Sequence, residues 1–345
     1  MHVIRARNVH EALPVALHEL RSRGISEVSR AGECIKHPMP VTTVLEKPTE
    51  RVIFWPERDA NPFFHFFESL WMLAGRKDLA WLLPFNARMK DFSDDGGITQ
   101  PGAYGYRWMK HFKRNQIETL IELLENNRRT RRGVIQMYDA KTDQFTNETA
   151  TRDVPCNTTI YVWNEAGYLN MTVCCRSNDV IWGAYGANAV HFSFLQEYIT
   201  LRLGLEIGYL YLMSNNFHVY KSVVEPMWEL ATSTGHDTKY GLNPYYIPGS
   251  NKVEPYPIMD EPRWWDGDLR LFMNKPMHQY GYRNRFFSAV ARPLYCAHVA
   301  WRNKQDTNRY NAAIDIAEQC QASDWRKAAV EWLERRKTRA EAKAA

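Results

Sequence analysis

The chain predicts a mixed α/β architecture, of the α/β or α+β kind and not a helical bundle, and three observations carry that expectation. Two β-rich runs, TTIYVW (158–163) and YLNMTVCC (168–175), are separated by a short polar break. Helical patterns surround them: Ile117, Leu120, Ile121 and Leu124 recur at i, i+3, i+4 and i+7, and FFHFFESLWMLAG (63–75) is apolar nearly all round. The 345 residues are 45% apolar and 24% charged, a globular composition long enough to bury a large core without disulfide staples.

Taken in order, Asn61 caps the first strong helix, Pro62 fills its first turn and Gly75 ends it, so the segment between is a buried helix. The 117–124 pattern is a half-buried helix stopping at Asn126-Asn127, followed directly by Arg128-Arg129-Thr130-Arg131-Arg132. Asn164-Glu165-Ala166-Gly167 between the two β-runs signals a hairpin with a four-residue loop. With Trp163 opposite Tyr168, Cys156 falls opposite Cys175 and diagonal to Arg176, which makes neighbours of a cysteine and an arginine. Asn188 to Leu203 predicts an amphipathic helix closed by Gly204, and Tyr209 to Met213 a strand leading to Phe217-His218-Val219-Tyr220. Beyond about Pro255 the chain reads as helical, with Asp324-Trp325-Arg326 opening a final helix and Glu331 to Ala345 a charged tail that frays.

Composition excludes several classes. Lys and Arg number 44 against 39 Asp and Glu, a net charge of +5 that suits an anionic small molecule without demanding nucleic acid. Twelve Trp and 18 Tyr could form stacking platforms, but no basic stripe accompanies them outside the tail. The six cysteines contain no C-x-x-C pair, so free thiols in a reducing cytoplasm are expected, and no metal site. No apolar run approaches the ~18 to 20 residues of a membrane span, and the N-terminus lacks a signal-peptide pattern.

The chemistry concentrates in a few positions. Cys156 lies in Asp153-Val154-Pro155-Cys156-Asn157, where a turn meets a strand; a nearby Arg176 guanidinium would favour its thiolate, as a nucleophile needs. Without that neighbour it reads as a buried apolar cysteine. Arg131, Arg132, Arg176 and Ser177 offer the forked donors and hydroxyl that a phosphate monoester wants, although an Arg-Arg pair is also common on a solvated face. Glu68 sits mid-helix between Phe67 and Leu70-Trp71, where an ionised carboxylate must be paired, put to use or placed on the helix's one polar edge. His218 and Tyr220 alternate on a strand and share one face, suited to a sugar hydroxyl, while Asn188 reads equally as a helix cap. A Cys156, His218 and Asn188 hydrolase would leave Glu68 and the arginines without roles.

From about Ser29 to about Tyr220 these residues resemble the thymidylate synthase superfamily, with the segments in family order. Ser29-Arg30-Ala31-Gly32 is similar to the family's phosphate loop, with Arg30 as the contact. Glu68 in ESLWMLAG resembles the catalytic glutamate, Gly102-Ala103-Tyr104-Gly105 with Trp108 the following segment, and Pro155-Cys156 the nucleophile. Arg131-Arg132 resembles the pair that reaches across the dimer to the partner's phosphate. Arg176-Ser177-Asn178-Asp179 is similar to the phosphate- and base-binding stretch, and His218-x-Tyr220 to the ribose clamp.

The resemblance implies a large mixed β-sheet flanked by helices, one sheet face packed in a homodimer. A catalytic domain over 1–260 and a helical extension over 261–345 packed on it are expected. It further implies a pyrimidine nucleoside monophosphate substrate and 5,10-methylenetetrahydrofolate. Cys156, Glu68, Arg176 and Asp179 would be catalytic. Arg30, Arg131, Arg132, Ser177, Asn178, Asn188, His218 and Tyr220 would hold the nucleotide, and Asp179, Trp71 and Trp182 the folate.

The departures bear on the reaction. Asn157 follows the nucleophile where synthases usually carry His; Gly183 to Asn188 replaces the proline-phenylalanine-asparagine stretch with one extra residue; and 85–90 lacks the expected tryptophan. The chain also runs on past the point where a short apolar tail would seal the synthase site. RSNDV, and a Cys followed by Asn and Thr, resemble the pyrimidine nucleotide hydroxymethylases. Hydroxymethylation at C5 is therefore expected, on uridylate before cytidylate because the Asn188 amide offers both a donor and an acceptor. Thymidylate synthesis is the alternative.

Overall fold

The computed structural model describes residues 1–29, 31–145, 147, 151–232, 243–247 and 252–344. One mixed sheet of six strands dominates: β1 (His2–Ala6), β4 (Val41–Leu45), β9 (Glu206–Ser214), β7 (Tyr168–Cys175), β6 (Asn157–Glu165) and β5 (Val134–Gln136), in that spatial order. β1 with β4 and β7 with β9 are parallel; the other neighbours are antiparallel. A smaller sheet runs β2 (Ile25–Ser29), β3 (Gly32–Lys36), β10 (Phe217–Tyr220) and β8 (Asn178–Asp179).

Alternation along the large sheet sorts its side chains into two layers. Ile4, Leu210, Leu212, Met171, Val173 and Ile160 point to one face and are buried. That face is covered by α1 (Val9–Arg23) and by α4 (Ala189–Leu203), which lies on β7 and β9 and against α2 (Pro62–Leu73). The opposite face carries Val3, Tyr161, Trp163, Thr172 and Tyr211, and leaves Val3 and Tyr161 exposed. Trp163 and Tyr211 stack at 5.8 Å on it.

α2 forms as its sequence predicts. Asn61 Oδ1 accepts from Phe64 N, Pro62 stands in the first turn, and Gly75 follows with φ +60°. Its all-round apolarity has a tertiary cause: beyond α4, its other side meets the C-terminal helices. Phe66 packs edge-on to Trp325 at 5.1 Å and stacks with Phe286 at 5.6 Å, and Phe63 meets Trp332 at 5.7 Å. α3 (Gln116–Asn126) likewise matches its pattern, with Asn115 as cap.

The C-terminal residues form α5 (Pro262–Asn274), α6 (Arg292–Arg302), α7 (Arg309–Ala317) and α8 (Ser323–Ala344). Both α6 and α8 lie on α2. α8 is tied down along its charged part, because Asp59 accepts from Arg335, Arg336 and Arg339 together. The helix expected to fray from Glu331 instead continues to Ala344. Among the described residues no helix is long and apolar enough to cross a membrane.

Two expectations need correction. The hairpin loop is two residues, Ala166-Gly167, not four: both have positive φ (+51° and +92°), the geometry that continues a right-twisted hairpin to its tip. Glu165 consequently pairs with Tyr168 and Trp163 with Asn170. The helix expected to be amphipathic over 188–203 is buried almost throughout. It lies between the sheet and α2, and Trp325 from α8 covers Phe194 at 6.4 Å.

Candidate active site

The nucleophile's setting is made by the hairpin. The two-residue loop alone would set Cys175 opposite Thr158; a bulge between Asn157 and Thr159 shifts the register by one, so Cys175 pairs with Asn157, and not with Cys156. Arg176 N instead donates to Cys156 O at 2.9 Å. Cysteine and arginine are neighbours by a different pairing from the expected one. Asn157 secures the bulge: fully buried, it donates from Nδ2 to the carbonyls of Cys174 (2.8 Å) and Thr159 (3.2 Å).

Arg176 lies beside the nucleophile's strand entry. Its Nε and Nη2 donate to the carbonyls of Pro155 (3.1 Å) and Val154 (2.9 Å), which pins the turn preceding Cys156. The expected activation of the thiol is only partial. Burial pushes the Cys156 thiol above its ordinary value and outweighs the downward pull of Arg176, while Asp153 and Asp179 push it further up. The thiolate is therefore favoured only when something further supplies positive charge or takes the proton.

One cavity gathers the reactive groups: Cys156, Glu68, Trp71, Tyr104, Asp153 and Asn188 line it together with His191. Glu68, on α2, is 7% exposed, and His191, on α4, 4%. Glu68 Oε2 and His191 Nε2 stand 3.0 Å apart, close enough for an ion pair, yet they are not aligned as a hydrogen bond. Trp71 points its Nε1 away, to Asp78 O at 2.8 Å, so only its ring faces the cavity. Asp153 accepts from Gly102 N at 2.7 Å, and burial raises its carboxyl to about 6. Tyr104 is likewise pushed well up by burial.

The extra residue in 183–188 has a structural answer. Val180–Asn188 is π-helical, an i→i+5 winding that takes up one more residue per turn before α4 begins. Asn188 is no cap: it has helical φ and ψ and makes no side-chain capping bond. Its Nδ2 donates to Asn178 Oδ1 at 3.0 Å, and Asn178 Nδ2 donates to Ser214 Oγ at 3.0 Å. This chain of amides holds Asn188 at the cavity wall.

Asp179 opens the π-helix by accepting from Trp182 N at 2.5 Å; burial raises its carboxyl, against the pull of His218 and Arg58. The small sheet places His218 directly across from Asp179. His218 and Tyr220 do share a face, with rings 5.3 Å apart and edge-on. Trp182 is 49% exposed and has Arg58 and Arg88 over its ring at 5.2 and 5.8 Å. Arg58 is buried, donates to Ile181 O at 2.8 Å and is lowered to about 10 by desolvation, so it fixes the π-helix from beneath.

Of the expected residues, Cys156, Glu68, Trp71 and Asn188 line this cavity, whereas Asn178, Asp179, Trp182, His218 and Tyr220 do not. Arg176 is exposed and Ser177 half-buried, and neither lines it. Arg131 and Arg132 are exposed, and Arg131 lines a separate groove with Arg128, Arg129 and the tip of the β6–β7 hairpin. Arg30 lies outside the described residues. Conversely, His191, Asp153 and Arg58 belong to the site or its support, and the sequence does not single them out. For His191 the signal is its place three residues after Asn188, on the same helix face.

A cysteine, a buried glutamate and an asparagine amide meet in one cavity on a mixed-sheet scaffold, the set expected of a one-carbon transferase. The thymidylate synthase family profile matches residues 63–243, and the chain belongs to that family. It is 45% identical over 352 residues to the deoxyuridylate hydroxymethyltransferase of Pseudomonas phage M6, covering all of this chain and 97% of that protein. Proteins of the same name from Bacillus phage SP01 and Delftia phage PhiW-14 are 36% and 31% identical over 199 and 183 residues, about half of each chain.

Proposed function

We propose that the protein is a deoxyuridylate C5 hydroxymethyltransferase using 5,10-methylenetetrahydrofolate. The observation that carries the reading is the single cavity in which Cys156, Glu68 and Asn188 meet, within a chain related along its full length to a deoxyuridylate hydroxymethyltransferase.

Cys156 adds as thiolate to C6 of the pyrimidine, which makes C5 nucleophilic toward the one-carbon unit. The folate supplies that unit at the formaldehyde oxidation level. Glu68 moves protons at the base and assists loss of the C5 proton as the carbon–nitrogen bond to the folate breaks, leaving an exocyclic methylene on the nucleotide. Water then adds to the methylene, and Cys156 departs as C5=C6 re-forms. Asn188, with one N–H engaged by Asn178, keeps its oxygen and second N–H for N3–H and O4 of uracil. The phosphate falls to Arg30, Arg176 and Ser177, the ribose to His218 and Tyr220, and Asn178 and Asp179 position the base-binding wall.

The site fits a folate on two counts: the half-exposed Trp182 ring offers a flat face braced by two guanidinium groups, and Trp71 adds a second apolar wall. Arg131 and Arg132 serve the phosphate of a second subunit. The sheet face with exposed Tyr161 and half-buried Trp163 and Tyr211 is the surface such a homodimer would bury.

Mass spectrometry of the product from dUMP, dCMP, UMP and CMP with methylenetetrahydrofolate tests the reading. Gain of a hydroxymethyl group on dUMP, with tetrahydrofolate released, is expected. Methylated product with stoichiometric dihydrofolate would make the protein a thymidylate synthase instead.

A further inference from the structure

We infer that His191 is the base that takes the proton from the water adding to the exocyclic methylene, with Glu68 as its counter-charge; the inference rests on the proposed hydroxymethylation. Both groups line the cavity that holds Cys156, and each is more than nine-tenths buried. Glu68 Oε2 and His191 Nε2 are 3.0 Å apart, yet each lacks a hydrogen-bond partner among the described residues. Two buried polar atoms left in this state cost free energy unless a reacting group or water uses them. Their placement also fits the substrate. His191 stands one helical turn beyond Asn188, so the base-reading amide and the imidazole look into the cavity from the same side of one helix.

The other cavity groups serve this step less well. Burial pushes the Tyr104 phenol well up, which makes it a reluctant acid and leaves no phenolate near neutral pH to act as a base. Asp153 has one oxygen committed to Gly102 N–H, in the segment that leads into the nucleophile. Cys156 is bonded to C6 during the step. A neutral imidazole retains a lone pair, and the adjacent carboxylate stabilises the imidazolium as it forms.

In the step, the water oxygen bonds to the methylene carbon while its proton passes to His191. The methylene π pair moves into the ring to give an enolate at C4. The enolate collapses to C5=C6 and expels the Cys156 thiolate from C6. The imidazolium then loses its proton to solvent. Over the whole cycle the two protons released, one from C5 and one from water, balance the two taken up by the folate nitrogens.

The test uses the full-length enzyme, dUMP tritiated at C5 and methylenetetrahydrofolate, in single turnover with and without 2-mercaptoethanol. His191→Asn and His191→Gln should release tritium within about threefold of wild type, because C5 deprotonation precedes the water step. Hydroxymethyl product should fall by roughly 10²-fold or more, and the thiol should capture the stranded methylene as a thioether. If His191 only orients Glu68, tritium release and product will fall together in both variants, and the inference is overturned. Unchanged hydroxymethyl product in both variants overturns it too. Failure of the parent reading shows separately, in the wild type: a methylated wild-type product removes both, whereas normal wild-type product with either variant result above removes the His191 role alone.

Discussion

Asp153 allows the electrostatics of this cavity to be measured by two independent readouts. It stands three residues before Cys156, and burial raises its carboxyl from 3.8 to about 6 in spite of the Gly102 N–H and Gln100. A carboxyl with a raised folded pKa binds its proton more tightly in the native state, so its stabilising contribution is complete at low pH and is lost as pH rises through about 6. The gap from 3.8 to about 6, at ~1.4 kcal/mol per pH unit, sets an upper limit of about 3 kcal/mol, reduced by the residue's partial contact with solvent. Asp153→Asn keeps an acceptor for Gly102 N–H and removes the charge. Urea unfolding of both proteins at stepped pH should show the variant gaining on wild type from about pH 4.5 upward and levelling off by about pH 8, by ~1 to 3 kcal/mol. The Asp153 charge also raises the Cys156 thiol, so the acid limb of kcat/KM against pH should move to lower pH in the variant. A stability difference that stays flat across this range, together with an unmoved acid limb, would refute the assignment of a half-buried carboxylate with a raised pKa near Cys156.

Three further outcomes follow from the site. Cys156→Ala should abolish turnover and leave dUMP affinity by calorimetry within about threefold, since the covalent step and the binding contacts use different groups; retained turnover would contradict the adduct. At Gly105 an added Cβ would lie 1.8 Å from the Met72 carbonyl oxygen of α2. Gly105→Ala should cost about 3 kcal/mol in thermal or urea unfolding and lower kcat by roughly 10²-fold, because α2 carries Glu68; wild-type melting and kcat would show that the helix yields freely. Replacing Arg131 and Arg132 by Gln should raise KM for the nucleotide by roughly tenfold or more with little change in KM for the folate. An equal rise in both would argue against a phosphate role across a dimer.

Much of this fold is legible where the signal is local. The Asn61-Pro62 start and Gly75 stop of α2, the Asn115-capped α3 and the β6–β7 pair each depend on residues within one element. What escapes the sequence depends on partners elsewhere. The hairpin register turns on whether Ala166-Gly167 alone makes the turn and on one bulge at the nucleophile, and an error of one residue reassigns every cross-strand neighbour. The burial of α4 is invisible because α8, which covers part of it, comes more than a hundred residues later. A π-helix has no periodicity signature of its own; only the one extra residue in 183–188 announces it.

The same long-range dependence explains how the site tolerates its departure from the synthase pattern. Asn157, standing where a histidine would follow the nucleophile, has its amide nitrogen turned onto two hairpin carbonyls and does not line the cavity. The imidazole that does line it is His191, supplied by α4 and set three residues beyond an asparagine that the π-helical turn brings to the cavity. A histidine next to Cys156 would stand near the sulfur; His191 stands beside Glu68 and three residues from Asn188, the amide proposed to read the base. Under the reaction proposed above, the imidazole in the cavity is thereby placed to serve hydration at the exocyclic carbon, on the same scaffold that carries Cys156.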